Sequence, residues 1–403
     1  MLAERRQVAD EGSTTPYLFD HPAPAPTLRV TVIVPVRNEA DSIAQTLDAL
    51  RNQKTNTGQS LDPALYEVLV LTNNCTDDSY ARIRQYQQQQ PRFALHVANV
   101  QLGPERAHIG TVRRMLMDEA CRRLLLAGHP RGIIASTDGD TLVDRLWVGQ
   151  IIQEIDAGSD AVGGRILTHP DRGPARLPHL RDATYRHLLA QAESRIDPCP
   201  YDPWPRHFQH FGASLAVTCQ AYIRAGRLPV VRYLEDDAFV KALHRIDAKV
   251  RRSPAVRVYT SARLQGRVEV GLSWQLQQWA CQSSSGVCQQ VENPTLSLAR
   301  FRLRHQLRVA WTCRFDTGCM AQLRPAAAQL GVSAGWLLAQ IATSTYFGQF
   351  WQTVEQQFTL HNASQPTPFV SIVEAIATLR NVGAALAPMN GVHQFGRVNK
   401  SNR

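Results

Sequence analysis

The sequence predicts an α/β fold: a mainly parallel, Rossmann-like sheet flanked by helices, continued by a C-terminal α-helical extension. Three observations carry this reading. Short β-branched apolar runs alternate with amphipathic segments from about residue 28 onward. Polar segments rich in Asn and Asp follow several of these runs, where a parallel sheet places its chemistry. From about residue 271 strand signals fade and Gln-rich helical spacing takes over. The division expected is a poorly ordered leader over 1–27, an α/β domain over 28–270 and a helical region over 271–403.

The elements follow in order. The leader is polar and then proline-rich, ending in His21-Pro-Ala-Pro-Ala-Pro26. Val30-Thr-Val-Ile-Val-Pro35 is short, apolar and β-branched, so it predicts a buried strand. Asn38 or Asp41 can cap a helix with Ile43, Leu47 and Leu50 inward. Glu67 to Leu71 predicts a second strand, followed by a polar loop and a helix from Ser79. Phe93 to Ala98 predicts a third, then Thr111 to Leu126 a helix with Val112, Met115, Leu116 and Leu124 inward. Gly132 to Thr137 predicts a fourth strand, and right-handed crossovers join such units. Residues 170–207 are rich in Pro, Arg and His, which predicts a loop with a helix around 180–195. Phe239, Leu243 and Ile246 mark a helix opened by Glu235-Asp-Asp237, and Val256 to Tyr259 a later strand. In the extension, Leu337, Ile341, Phe347, Trp351, Val354 and Phe358 recur at helical spacing and predict a core stripe.

Composition bounds the function. The chain has 403 residues, 44% hydrophobic and 19% charged, which excludes wholesale disorder, collagen and coiled coil. Its formal charge of +10 suggests an anionic partner without choosing one. Residues 271–403 hold ten basic residues against four acidic, so the excess sits mostly in the extension, led by Arg300, Arg302, Arg304 and Arg308. That cluster is expected to meet an anionic acceptor, a lipid head group or a neighbouring subunit. Eight scattered Cys without a CxxC pair exclude the usual zinc spacings and fit reduced thiols in a cytosolic protein. No apolar h-region follows Arg5 and Arg6, and no run of 18 apolar residues occurs, so neither signal peptide nor membrane span is expected. A cytoplasmic location is expected, with membrane-peripheral contact as its alternative.

Three features carry chemistry. In Ser136-Thr-Asp-Gly-Asp140, after a strand, Asp138 and Asp140 flank a glycine that lets a phosphate approach. Such a pair suits a hard cation, Mg²⁺ or Mn²⁺, shared with substrate phosphates. An ordinary Asp/Gly turn reads the same way. In Leu234-Glu-Asp-Asp237 three carboxylates open a helix, more than a cap needs, and their mutual repulsion suits a general base. The strand ends Val34-Pro-Val-Arg-Asn-Glu39 and Asn73-Asn-Cys-Thr-Asp-Asp78 offer amides and carboxylates to a base and ribose, or to plain turns and caps.

Together, in this order and spacing, these segments resemble glycosyltransferase family 2, with the GT-A fold. Thr111 to Met115, His210-Phe-Gly-Ala-Ser214 and Thr260 to Arg267 look like further segments of bacterial members, and the resemblance covers about 28–270. It implies that Pro35, Arg37, Glu39, Asn73, Asn74 and Arg113 line a nucleotide pocket, Glu39 toward the base or ribose. Asn74 stands where the family often has Asp. Asp138 and Asp140 are implied to hold the pyrophosphate through the metal. Asp236 is the implied base, with Asp237 its substitute and Glu235 beside it. Arg263 and Arg267 are candidates to clamp the diphosphate or to decorate a surface. His210 is a candidate third metal ligand or acceptor contact. The expected donor is a UDP-, GDP- or dTDP-sugar, with inversion implied by the family. Gln275-Leu-Gln-Gln-Trp279 has Gln where processive members carry Arg, which argues against a polymer synthase. The alternatives are a nucleotidyltransferase of similar fold, disfavoured because 34–39 has no glycine, and a non-catalytic anion- or nucleic-acid-binding protein, disfavoured because the acidic clusters repel phosphate. The extension is expected to be a lid, acceptor platform, oligomer interface or membrane-surface element.

Overall fold

The computed structural model describes residues 6–7, 18–19, 23–169, 172–261, 270–314, 319–363 and 369–385. Eight strands form its main sheet: β1 Val30–Val36, β2 Tyr66–Asn73, β3 Leu95–Gln101, β4 Ile133–Ser136, β5 Thr141–Val143, β6 Ala161–Thr168, β7 Leu215–Thr218 and β8 Val250–Thr260. Their order is β3-β2-β1-β4-β7-β6-β8-β5, and the pair Arg6–Gln7 adds to the outer edge of β3. The β3-β2-β1-β4 part is parallel, as the repeated units predict. β7 runs antiparallel to both its neighbours, and β5 antiparallel to β8.

The parallel strands are buried on both faces, which is why they read as continuous apolar runs rather than alternating ones. Helices α1 Ile43–Arg51, α2 Ser79–Gln89 and α4 Trp147–Asp156 cover one face. Helices α3 Ile109–Leu126, α6 Cys219–Arg224 and α7 Glu235–Arg245 cover the other. Part of the leader is anchored: Phe19 is 3% exposed and packs with Leu28 in this second core. An apolar ring of that size contributes more by burial than its ordering costs.

Helix α5, Arg176–Ile196, is longer than the expected 180–195. Pro178 falls in its first turn, where no helical hydrogen bond is lost. The extension holds α8 Leu272–Ser284, α9 Pro294–Thr312, α10 Cys319–Leu330, α11 Ala334–Thr343, α12 Phe347–Asn362 and α13 Ile372–Ala385. A two-stranded antiparallel ribbon pairs β9 Gln290–Glu292 with β10 Phe369–Ser371. The stripe Leu337, Ile341, Phe347, Trp351, Val354 and Phe358 is core, with Leu303 and Leu307 of α9. A second small core joins Tyr185 and Ala192 of α5 to Leu298, Ile372 and Leu379. Among the described residues no helix is long and apolar enough to cross a membrane.

The arginine cluster corrects its expectation. Arg304 reaches Glu193 at 2.7 Å and Asp197 at 2.5 Å, Arg308 reaches Asp197 at 3.1 Å, and Arg300 reaches Glu292 at 2.8 Å. Three of the four arginines therefore pair within the fold, and Arg302 stays exposed. Glu193 also holds Arg206 and Arg252, while Asp202 holds Arg206, Arg251 and Arg252. The charge excess was visible in sequence, but Glu193 and Asp197, the carboxylates opposite Arg304 and Arg308, lie far away along the chain. Burial pushes the Asp197 carboxyl upward, yet Arg308 and Arg304 outweigh it and hold it below its ordinary range.

Two stability measurements check this packing. Asp197 is 2% exposed, so Asp197→Ala leaves Arg304 and Arg308 short of a partner. It should lower unfolding free energy by about 2 kcal/mol, discounted for the partly solvated arginines, seen as a lower urea midpoint. His207 is 4% exposed, its Nε2 lies 3.1 Å from the Gly163 and Ser253 carbonyls, and burial holds its pKa at about 4. A base whose folded pKa is depressed gives full stability above its unfolded value of about 6.5 and loses it as pH falls toward the folded value. Between pH 7.5 and pH 5 the urea midpoint should fall by the equivalent of about 2 kcal/mol from His207, and His207→Gln should flatten that part of the profile.

Candidate functional site

Two acidic segments far apart in the chain meet at one buried cation. Arg113 lies in the early turns of α3 and is 4% exposed. Its Nη1 donates to Oε1 of Glu235 at the start of α7, and its Nη2 donates to Oδ1 of Asp138 at 2.8 Å. Its Nε has no hydrogen-bond partner. A planar guanidinium holds its donors in a fixed fork, so serving both motifs also fixes the direction of each.

The loop between β4 and β5 carries Asp138, Gly139 and Asp140. Thr46 and Ser42 donate from their hydroxyls to the Gly139 carbonyl at 3.0 and 3.3 Å, which ties α1 to this loop. A Cβ on Gly139 would stand 3.2 Å from Glu39 Cγ and from Val36 Cγ2, so the close approach of β1 explains the glycine. Glu39 is 7% exposed, its Oε2 accepts from the Ser42 hydroxyl at 2.9 Å, and its backbone N–H donates to the Ser79 hydroxyl oxygen at 2.8 Å. Burial pushes the Asp138 carboxyl above its ordinary value; Arg113 opposes that, and the charges of Asp236 and Glu39 add to it. Its side chain still opens 37% of its surface. Asp138, which also receives Arg113, and Asp140 offer the hard carboxylate oxygens that a divalent cation takes. Among the described residues no three His, Cys, Asp or Glu side chains gather as a metal cluster. His210 Nε2 lies 3.5 Å from Asp237 Oδ1.

Leu234 enters α7 in the left-handed region at φ 55°, a strained setting for leucine that turns the next three acids apart. Glu235 goes inward to Arg113. Asp236 takes the Gly212 N–H on Oδ2 at 2.7 Å and the Asp237 N–H on Oδ1 at 2.8 Å, leaving a lone pair on each oxygen. Asp237 turns to Lys241 at 2.7 Å and to His210 Nε2 at 3.5 Å, and these partners hold its pKa at about 2, His210 first. The three adjacent acids therefore play separate parts: anchor, oriented carboxylate and neutralised surface pair.

The glycosyl transferase family 2 profile matches residues 31–211. This span is a glycosyl transferase family 2 domain. Within it lie Asp138, Asp140, Arg113 and both strand-end segments, whereas Glu235 to Asp237 lie beyond it and reach it only through the fold. A glycosyltransferase AglE of Haloferax volcanii is 28% identical over 148 residues, 36% of this chain and 42% of that protein, so the match spans less than half of the relative. Among solved structures, mannosyltransferase PcManGT from Pyrobaculum calidifontis, in complex with GDP-Man and Mn²⁺, is 19% identical with a TM-score of 0.42, covering 92% of this chain and 83% of that one. S. aureus TarS 1-349 in complex with UDP-GlcNAc is 15% identical with a TM-score of 0.44, covering 83% and 92%. Scores this low carry no argument about this chain's ligands.

Other sequence candidates in the family 2 domain fall differently. Pro35 lies in β1 beside Leu71, and exposed Arg37 donates to the Ala107 carbonyl at 3.3 Å. Asn73 is buried with Oδ1 unpartnered. Asn74 sits at φ 48° and exchanges two 3.0 Å hydrogen bonds with the Leu102 backbone, so its amide is committed to the β3 exit rather than turned to a base. Asn is a natural choice there, since it tolerates the left-handed region and can both donate and accept. Arg263 and Arg267 lie outside the described residues. Sequence reading missed the Gly212 N–H and Lys241; the latter was visible as an i,i+4 partner of Asp237, the former only as the glycine of the His210-Phe-Gly212 segment.

A Cβ on Gly212 would stand 2.4 Å from the Arg113 Cζ, so Gly212→Ala should displace the guanidinium and shift the N–H held by Asp236. Arg113→Met should cost about 3 kcal/mol, because it leaves the buried Glu235 without its partner. Both variants should show a lowered thermal midpoint and loss of any nucleotide-induced stabilisation; a Gly212→Ala protein with wild-type values would contradict this geometry.

Proposed function

We propose that this chain is a metal-dependent, inverting and non-processive glycosyltransferase that moves a sugar from a nucleotide-sugar donor to an acceptor hydroxyl. One observation carries the reading. Asp138 of the β4–β5 loop and Glu235 of α7 share the two ends of Arg113, which sets Asp236, its oxygens aligned by two backbone N–H groups, close enough to Asp138 to raise its proton affinity. That arrangement would bring a donor-binding acid and a proton acceptor together.

Asp138 and Asp140 would hold Mn²⁺ or Mg²⁺, and the bound ion would supply neutralisation of the donor's diphosphate. The residues of the chain do the rest. Glu39, Pro35 and Asn73 border the donor's nucleoside end, with the unpartnered Asn73 Oδ1 ready to accept a hydrogen bond from it. Asp236 accepts the proton of the acceptor hydroxyl as its oxygen attacks the anomeric carbon and the nucleoside diphosphate departs. Asp237 is a poor base because Lys241 and His210 hold its charged form at a pKa of about 2. Arg113 keeps the two acidic segments in register rather than touching the donor.

Asp236→Asn should lower transfer about 10²- to 10⁴-fold while nucleotide binding persists. Asp237→Asn should keep most activity, and Asp140→Ala should weaken metal-dependent nucleotide binding. A thermal-shift screen of UDP-, GDP- and dTDP-sugars with and without Mn²⁺ reads binding, and nucleoside diphosphate release reads transfer. Full activity in Asp236→Asn would refute the base assignment, and absence of any metal-dependent shift would refute the donor reading.

A further inference from the structure

We propose that the solvent-facing side of α5 docks the protein on an anionic lipid bilayer. Leu177, Leu180, Thr184 and His187 recur at i, i+3, i+7 and i+10 along this helix, so they share one face over about 15 Å. Leu177 is 57% exposed and Leu180 45%. Trp204, 41% exposed, extends the stripe, with its ring centroid 5.3 Å from that of His187. Pro178, Tyr185 and Ala192, which meet the core, lie at a different angle around the helix. Single exposed leucines are ordinary, but a row of them ending in an exposed tryptophan marks a contact surface.

Charge selects the partner. Arg172 and Arg176 precede Leu177, and Arg181 follows Leu180. Arg165, exposed on β6, stands close enough to His187 that, after burial, its charge lowers the affinity of that ring for a proton. Among the described residues none of these four guanidiniums has an ion-pair or hydrogen-bond partner. Residues 172–181 contain no acid. The acids of α5 are spent elsewhere: Asp182 holds Arg186 at 2.8 Å, and Glu193 holds Arg206, Arg252 and Arg304. The arginines beside the stripe therefore keep their full positive charge, unlike Arg300, Arg304 and Arg308 of α9.

Leucines and an indole set among unpaired guanidiniums match the two layers of a bilayer surface. Leucines enter the acyl boundary, a tryptophan sits at head-group level, and arginines meet lipid phosphates. A nucleic acid would take up the arginines and leave the leucines in water. The position in the fold is also defined. β6 ends at Thr168, which pairs with Thr260 of β8, and Thr260 pairs on its other side with Thr141, the residue after Asp140. The chain thus enters α5 from the sheet edge that carries Asp140, and Leu177 and Leu180 sit in the first two turns of the helix. This inference concerns attachment and does not rest on the transfer reaction.

The test mixes the full chain with vesicles of phosphatidylcholine alone, or of phosphatidylcholine with phosphatidylglycerol, and reads bound protein by flotation. The protein should float with the anionic vesicles, less so as salt is raised, and not with phosphatidylcholine alone. The pair Leu177→Gln and Leu180→Gln should weaken binding about tenfold or more. The pair Arg172→Gln and Arg181→Gln should weaken it by about fivefold per arginine. Thermal midpoints of both pairs should match wild type, and Arg302→Gln in the extension should bind as wild type does. The proposal is overturned if the wild-type protein does not float with anionic vesicles, if it floats equally with neutral ones, or if both variant pairs float as wild type does. It is also overturned if this face binds duplex DNA or a second copy of the chain while no vesicle is bound.

Discussion

The forked pairing of Arg113 with Glu235 and Asp138 is the constraint on which the rest of the cleft depends. A guanidinium this deeply buried is tolerable only while carboxylates neutralise its charge. That requirement fixes three pieces of chain at once: the start of α3, the β4–β5 loop and the first turn of α7. Gly212 closes the arrangement from a fourth side, since no side chain fits against the guanidinium there. The orientation of Asp236 follows from the Gly212 N–H, and therefore indirectly from the same cation.

The sheet explains why these pieces can meet. In the parallel half, β1 and β4 lie side by side, so Glu39 and the Asp138-Gly-Asp140 loop emerge at neighbouring strand ends. β7 reverses direction between β4 and β6 and delivers the 210–214 segment to that same edge just before it pairs. The acids of α7 then need only one turn of helix to point into the cleft, inward and outward.

Much of this was legible in the residues. Strands β1, β2 and β4 announced themselves because burial on both faces demands unbroken β-branched runs, and the acidic segments stood out as more charge than turns or caps require. What stayed hidden was partner choice. Asn74 reads as a ligand-facing amide, yet it closes a backbone turn with Leu102. His210 reads as a metal ligand, yet its ring faces Asp237. Arg304 and Arg308 read as a surface for anions, yet their carboxylates sit on α5. Each error has one physical origin: a polar side chain is satisfied by the nearest complementary group in space, and sequence separation conceals which group that is.

The shared carboxylates of Glu193, Asp197 and Asp202 have a consequence for how the molecule holds together. Glu193 and Asp197 lie at the C-terminal end of α5 and around its exit; with Asp202, they bind arginines of β8, of the 202–206 loop and of α9 at the same time. Opening α9 from α5 would strip counterions from carboxylates that also grip the sheet's β8 strand. The sheet and the helical extension are therefore thermodynamically coupled. They should melt in one transition rather than two, and a sequence change in α9 is felt in the strand that borders the β5 edge.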